Sequence, residues 1–371
     1  MPVAFDVTPL AGVRTGIGNA VAELFDALVE TGSVRLVPYA FGARLSVDDG
    51  SLPRGTRRLR LPTRALLRAW AYTDHPRVDR LVRPARLVHA TAFVAPPSRL
   101  PTLVTVHDAT FAGPDAGVAP GVRRFGPILR RAVGHGAWVH CATRTVAEEV
   151  RGHLAGLSAE RVVVVPFGVP RLGVPGPLPT GLARALDDGG RYVLAIGALE
   201  RRKNLPRLIR AFDLVAEADP DVRLVIAGPG GPDGAAVEDA IASARARDRV
   251  VVAGHVDAGA RRALLERAAA LAYPSLYEGF GFPMLEAMTL GVPVVASTGG
   301  ALPEVAAGAA LLPDPSDEAA IAQALRTAVS DAGARARLIE AGRRRAEAFT
   351  WAAAARGIVE AYREVAASTS S

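Results

Sequence analysis

Residues Tyr273–Glu304 read YPSLYEGFGFPMLEAMTLGVPVVASTGGALPE, and this stretch decides the fold. The apolar run Ala268 to Tyr273 has the length and composition of a buried strand, and it leads into the turn Gly279-Phe280-Gly281. Pro283 suits the first turn of a helix over Met284 to Leu290, and Val292 to Ala296 reads as the next buried strand. The result is a β-loop-α-β unit, of the kind that binds ligands at the C-terminal ends of its strands. Glycines let the loop backbone approach a ligand and the helix presents its positive end, so the turn favours phosphate. Glu278 precedes the loop and Glu286 lies a turn into the helix, with seven residues between them. A carboxylate only accepts hydrogen bonds, so two of them beside an anion site hold neutral hydroxyls at either end of a diphosphate. The ligand implied is a nucleotide-sugar.

Outward from this unit, short apolar strands alternate with amphipathic helices along the whole chain, the pattern of doubly wound α/β domains. Strands are predicted at Val3–Val7, Val34–Tyr39, Arg86–His89, Thr102–Val106, Ala137–Cys141 and Arg161–Val165. Next comes a segment dense in proline and glycine, Pro166 to Pro179, where the domain boundary belongs. A second series of strands follows at Tyr192–Ile196, Arg223–Ala227, Arg249–Val252, Ala268–Tyr273, Val292–Ala296 and Ala309–Leu312. The reading is a first domain over residues 1–170, a linker over 171–190, a second domain over 191–350 and a terminal helix over 351–366. Such a length suits two domains of about 150 to 200 residues each.

Charge is unevenly spread. Residues 1–170 carry 21 Arg against 13 acids, a balance of +8, whereas residues 171–371 carry 23 basic residues against 24 acids, a balance of −1. An anionic partner is expected on the first half, either a membrane surface or an acidic acceptor. Nucleic acid is disfavoured, because no binding motif or aromatic interleaving accompanies the arginines. Arg54 to Tyr72, basic and apolar together, reads either as a solvated strand and helix or as a membrane-surface element. No stretch reaches the roughly 18 apolar residues of a membrane span, and the N-terminus lacks the pattern of a signal peptide, so a cytoplasmic protein is expected, with peripheral contact at the inner membrane face as an option. Cys141, the one cysteine, reads as a buried strand residue. No metal or other cofactor is expected, since the seven histidines show no ligand spacing and Asp219-Pro-Asp221 reads as a turn.

Lys203 is the only lysine among 44 basic residues, and it stands in Gly197-Ala-Leu-Glu-Arg-Arg-Lys-Asn204 between a strand and a helix from Leu205 to Val215. A compact ammonium there meets phosphate as a point charge where a planar guanidinium fits differently. Near the start, Thr15-Gly-Ile-Gly-Asn19 follows the first strand and leads into a helix from Ala20 to Val29. It is not a dinucleotide fingerprint, because Val21 stands where the third glycine would be and Pro38 and Tyr39, not an acid, end the second strand.

With these motifs, the sequence resembles the family 4 retaining glycosyltransferases, whose GT-B architecture has two Rossmann-like doubly wound domains facing a cleft and a C-terminal helix that crosses back to the first. The resemblance implies that Glu278 contacts donor-sugar hydroxyls and Glu286 the ribose, that Arg202 and Lys203 neutralise the donor diphosphate, and that His107 lies beside the donor sugar. It further implies donor contacts from Gly16 and Gly18, from the loop Gly254, His255 and Val256, and from Gly279, Phe280, Gly281 and Phe282. Asp108 either contacts acceptor or caps its loop. Ala198 departs from the arginine common after the strand glycine, as in a subset of the family with G-x-x-E-x-R-K-N, which leans toward mannose from GDP-mannose. The expected activity is transfer of a hexose from a nucleotide-diphosphate sugar to an unidentified acceptor hydroxyl, with retention of configuration. A nucleotide-sugar epimerase of the same fold and a non-catalytic nucleotide-sugar-binding protein are the alternatives. A dehydrogenase is disfavoured by the missing fingerprint.

Overall fold

The computed structural model describes residues 1–12, 16–43, 45, 51–111, 124–186 and 189–368. Two units divide the chain, one running to Pro170 and resuming at Phe349, the other spanning Arg171–Ala348. Residues 46–50 and 112–123 lie outside the described residues, as does Thr15 of the first glycine motif.

In the first unit the strands are β1 (Pro2–Asp6), β2 (Arg35–Phe41), β3 (Arg57–Leu59), β4 (Leu87–Ala90), β5 (Thr102–Thr105), β6 (Trp138–Cys141) and β7 (Val162–Val164). They form a parallel sheet in the order β3-β2-β1-β4-β5-β6-β7. Parallel strands are covered on both faces, which is why β1 and β4 are buried without alternation. Helices α1 (Gly16–Glu30), α2 (Thr63–Tyr72), α3 (Phe125–Gly134) and α4 (Arg144–His153) provide cover, with Thr143 capping the last. Arg54 to Tyr72 resolves as β3 and α2: Leu66 and Trp70 are buried, the Trp70 indole donates to Pro76 O at 3.0 Å, and its ring meets Phe41 edge to face. Leu59, Leu66, Leu67, Trp70 and Ala71 of that segment therefore serve the core of this unit, while Leu61 and Tyr72 are exposed.

The second unit begins with α5 (Thr180–Ala185) and holds β8 (Tyr192–Ile196), α6 (Leu205–Ala218), β9 (Arg223–Ala227), α7 (Gly234–Ser243), β10 (Val250–Gly254) and α8 (Ala258–Arg267). It continues with β11 (Ala270–Ala272), α9 (Phe282–Thr289), β12 (Val294–Val295), α10 (Leu302–Ala306), α11 (Glu318–Ser330) and α12 (Ala332–Glu347). Its parallel sheet runs β10-β9-β8-β11-β12. Ala309–Leu312 contributes a single bridge, Val295 to Leu311, instead of a strand, because its neighbour β12 is only two residues long and Pro313 follows at once. Residues 171–190 are less a free linker than part of this unit: Gly176 N–H donates to Gly259 O at 2.9 Å, and Arg262 donates to the carbonyls of Leu172 and Gly173. The final helix, α13 (Trp351–Ala367), belongs to the first unit, where it packs on α1 and buries Trp351, Ile358, Tyr362 and Val365. Among the described residues no helix is long and apolar enough to cross a membrane.

In each sheet the chain reverses its direction of travel once, between β1 and β4 and between β8 and β11. Ligands of open α/β sheets bind at the C-terminal strand ends beside such a switch point. Lys203 follows β8 and Glu278 follows β11, so the second unit's switch point lies between the two loops that carry them.

Candidate functional site

Gly197 follows β8 with φ +148°, where side-chain-bearing residues are strained, and a Cβ on it would lie 3.0 Å from Lys203 Cε. Beyond it, Arg201–Lys203 make one tight turn and Asn204 adopts the left-handed conformation, φ 58°. The Asn204 amide then donates to Pro274 O (3.1 Å) and Pro315 O (2.7 Å), and Leu276 N–H donates to Arg202 O at 2.7 Å. These bonds lash the loop after β8 to the loop after β11.

The consequence is a cluster that sequence alone leaves about 75 positions apart. Lys203 Nζ donates to Glu278 Oε1 at 2.5 Å and to the Tyr273 hydroxyl at 2.9 Å. Arg202 Nη1 donates to Glu278 Oε2 at 2.8 Å, while its Nε donates to Glu200 at 2.8 Å. Burial by itself raises the Glu278 pKa, but Lys203 and Arg202 outweigh it and hold the carboxyl at about 2. Burial also lowers the Lys203 pKa, opposed by Glu278. Both cations expected on the diphosphate are thus ion-paired to Glu278, and with Glu200 the cluster sums to zero charge. A lysine ammonium has three N–H groups and an arginine guanidinium five, so these bonds do not use the full donor capacity of either side chain.

Gly300, φ +60°, passes so close that a Cβ would sit 2.4 Å from Glu278 O, and Ala301 N–H donates to that carbonyl at 2.8 Å. The Gly299-Gly300 pair therefore fixes the backbone of the glutamate. Gly281, in the left-handed region, starts α9 at Phe282, two residues earlier than Met284. Phe280 is buried against the half-buried Phe282, ring centroids 5.0 Å apart, so these two rings pack on each other. Glu286 is 4% exposed and ion-paired to Arg261 of α8; burial raises its pKa and Arg261 opposes the rise. Burial raises the pKa of Tyr273 most, and the negative charges of Glu278 and Glu286 add to the rise. β10 runs on to Gly254, which has φ +63°, then exposes His255 and half-buries Val256 before Asp257 caps α8 through Ala260 N–H.

Tyr273, Asn204 and Arg261 are site residues that the sequence reading did not select. Tyr273 ends an apolar run and Asn204 closes a named motif, so both carried a signal. Arg261 carried none, standing beside Arg262 on a helix with several arginines. Asp219 pairs with Arg191 at 2.7 Å in the loop that enters β9, at the N-terminal strand ends, and so away from Glu278. Among the described residues no three His, Cys, Asp or Glu side chains form a cluster that suits a metal.

In the first unit His107 follows β5 and donates from Nε2 to Thr91 O at 2.8 Å. A carbonyl only accepts, so Nε2 carries the proton; burial lowers the His107 pKa to about 4 and keeps the ring neutral. Asp108 accepts from Thr110 N–H at 3.0 Å and from the Thr110 hydroxyl, which is the loop-capping role. Gly16 and Gly18 sit inside the first turn of α1 and not in a turn ahead of it, a correction to the helix start at Ala20. Cys141 is buried and its thiol is pushed up to about 12.

Residues 183–345 match the model of the family described as glycosyl transferases group 1. The chain is 33% identical over 173 residues to the O-antigen chain mannosyltransferase B of Escherichia coli, covering 46% of this chain and 45% of that protein. It is 32% identical over 260 residues to the alpha-maltose-1-phosphate synthase of Mycolicibacterium smegmatis, 65% of this chain and 66% of that one. To the MMP alpha-(1->4)-mannosyltransferase of Mycolicibacterium hassiacum it is 33% identical over 219 residues, 57% and 50%. The matches span between 45% and 66% of these relatives' own lengths. Among solved structures, sucrose-phosphate synthase of Thermosynechococcus elongatus superposes with a TM-score of 0.75 at 22% identity, covering 99% of this chain and 100% of that one. Anabaena HepE, solved in complex with UDP and glucose, gives 0.71 at 16% identity, covering 98% and 99%. The fold is the two-unit α/β architecture of GT-B glycosyltransferases. Over residues 183–345 the chain is thus similar to the glycosyl transferases group 1 family.

Proposed function

We propose that the protein is a retaining glycosyltransferase that moves a hexose, with mannose favoured, from a nucleotide-diphosphate sugar to an acceptor hydroxyl. One observation carries this reading: a buried carboxylate, Glu278, braced by Lys203 and Arg202 beside a glycine turn at the start of α9. Both Glu278 oxygens are engaged by cations and its pKa stands at about 2, so it is a weak base and a weak nucleophile. Its work is to orient sugar hydroxyls, and the acceptor attacks on the face from which the diphosphate leaves, a diphosphate oxygen taking the acceptor proton. The donor capacity left on Lys203 and Arg202 meets charge that develops on the departing phosphate, where preorganised dipoles and cations are most effective. Support for mannose comes from the G-x-x-E-x-R-K-N pattern and from two relatives named as mannosyltransferases. The +8 balance of residues 1–170 supports an anionic partner for that half, with the cytoplasm as its place of work.

A panel of GDP-, UDP- and dTDP-sugars tests the proposal. The matching donor raises the melting temperature, because it binds only the folded chain, and GDP-mannose is expected to raise it most. No stabilisation by any nucleotide-sugar rejects the reading, and donor turnover without an acceptor points to an epimerase.

Arg261 gives a second test. Changing it to Leu leaves Glu286 buried without its cation, so the carboxyl, already raised by burial, holds its proton to still higher pH. Donor KM is expected to rise about tenfold at the acid end of the pH range and to recover as pH climbs and the carboxyl loses that proton. Pre-steady-state donor titrations across pH would show it, and a wild-type pH profile in the variant would remove Arg261 from the site.

A further inference from the structure

Four buried side chains of the first unit, none used above, make an unbroken chain of hydrogen bonds. Tyr362 OH lies 2.7 Å from His89 Nδ1, and His89 Nε2 lies 2.8 Å from Thr105 Oγ1. Thr105 Oγ1 lies 2.9 Å from His140 Nδ1, and His140 Nε2 lies 2.9 Å from Val165 O. All four side chains are at most 2% exposed.

Only one arrangement of protons fits. Val165 O accepts only, so His140 Nε2 donates. Burial lowers the His140 pKa to about 4 and that of His89 well below its usual value, so each ring carries one proton. His140 Nδ1 must then accept from the Thr105 hydroxyl, whose oxygen accepts from His89 Nε2, and His89 Nδ1 accepts from Tyr362. Every donor points the same way, from α13 across β4, β5 and β6 to the segment after β7.

That segment reaches His107. The Phe167 ring stacks on the His107 imidazole, centroids 5.6 Å apart at 24°, and meets His140 edge-on at 5.6 Å. At its far end Val169 N–H donates to Phe349 O (3.0 Å) and Val169 O accepts from the Trp351 indole (2.9 Å). Gly168 lies so close to Trp351 that a Cβ would be 2.5 Å from its backbone nitrogen. Val165–Val169 is thus fixed at one end by His140 and at the other by α13.

We propose that Tyr362, His89, Thr105 and His140 form a one-way hydrogen-bond relay that holds the 165–169 segment in place and, through the Phe167 ring, sets the pose of His107. All four are positioning residues; the effect on turnover rests on the functional reading of His107 given above, whereas the relay itself does not.

Histidine-selective nitrogen-15 NMR on the full chain, paired with kinetics, tests it. In the wild type both His89 and His140 are expected as the Nε2–H tautomer. Thr105→Val breaks the relay in the middle: His89 loses its single tautomer, because Tyr362 OH can donate or accept, the His107 ring resonances shift as the Phe167 stack loosens, and kcat falls about tenfold with donor KM within twofold. Thr105→Ser, which keeps the hydroxyl, restores all of these. An Nδ1–H tautomer at His140 in the wild type overturns the proposal whether or not the valine variant folds. So do unchanged His107 resonances in a folded Thr105→Val protein. If His107→Ala transfers sugar at the wild-type rate, the functional reading of His107 fails while the NMR result still decides the relay.

Discussion

Glu278→Gln is expected to lose at least about a hundredfold in kcat while nucleoside diphosphate binds as well as before or better. The amide keeps the shape of the side chain but removes the charge that balances Lys203 and Arg202, so the cluster changes from neutral to a net positive charge. A positive pocket attracts diphosphate more strongly, whereas an amide grips sugar hydroxyls less well than a carboxylate does. Loss of turnover with intact nucleotide affinity separates this role from simple loss of fold. Ala is the poorer probe, since it leaves the buried Lys203 with its carboxylate partner gone, a change that costs about 3 to 5 kcal/mol in other proteins. Stability offers an independent reading. The Glu278 pKa is depressed from 4.5 to about 2, so the stabilisation it brings is present above pH 4.5 and disappears as pH falls through that interval. The Gln variant lacks this acid-range loss. More than half of wild-type turnover in Glu278→Gln would contradict the assignment.

Lys203→Ala is expected to reduce kcat/KM by about a hundredfold or more, with donor KM and kcat both affected. The ammonium touches Glu278 and Tyr273 directly, so its removal slackens the carboxylate and takes away one phosphate donor together. Arginine is not a replacement. The Lys203 stem runs along Gly197, where there is no room even for a Cβ without a 3.0 Å contact, and a guanidinium is broader than an ammonium. Lys203→Arg should therefore remain closer to Ala than to wild type. Combined with Glu278→Gln, the losses should fall short of the sum, because the two groups act as one unit. Unchanged steady-state constants in Lys203→Ala would place the phosphate elsewhere.

The two strands Tyr192–Ile196 and Arg223–Ala227 were legible to the residue, because each is an apolar run bounded by residues that cannot continue it. Ala309–Leu312 has the same composition, yet its neighbour β12 is two residues long and offers a single bridge. Composition reports burial, and a strand also needs a partner of matching length. Glu278 and Lys203 each bore a motif, so their types and loops were readable. Their direct pairing was not: it depends on Asn204 in a left-handed conformation and on Gly299 and Gly300 letting two backbones touch. The histidines of β4 and β6 read as strand residues, and only sheet register sets Thr105 between them.

The last element of the chain completes the first unit, and this orders events during synthesis. Trp351, Ile358, Tyr362 and Val365 are buried in a core whose other members lie more than 180 residues upstream. The Arg171–Ala348 unit has every one of its strands once Val295 has left the ribosome, whereas the earlier-made half must wait with a greasy seam uncovered until the final helix emerges. Translation therefore finishes the later half first, and a chain cut short before Trp351 is damaged in its earlier half.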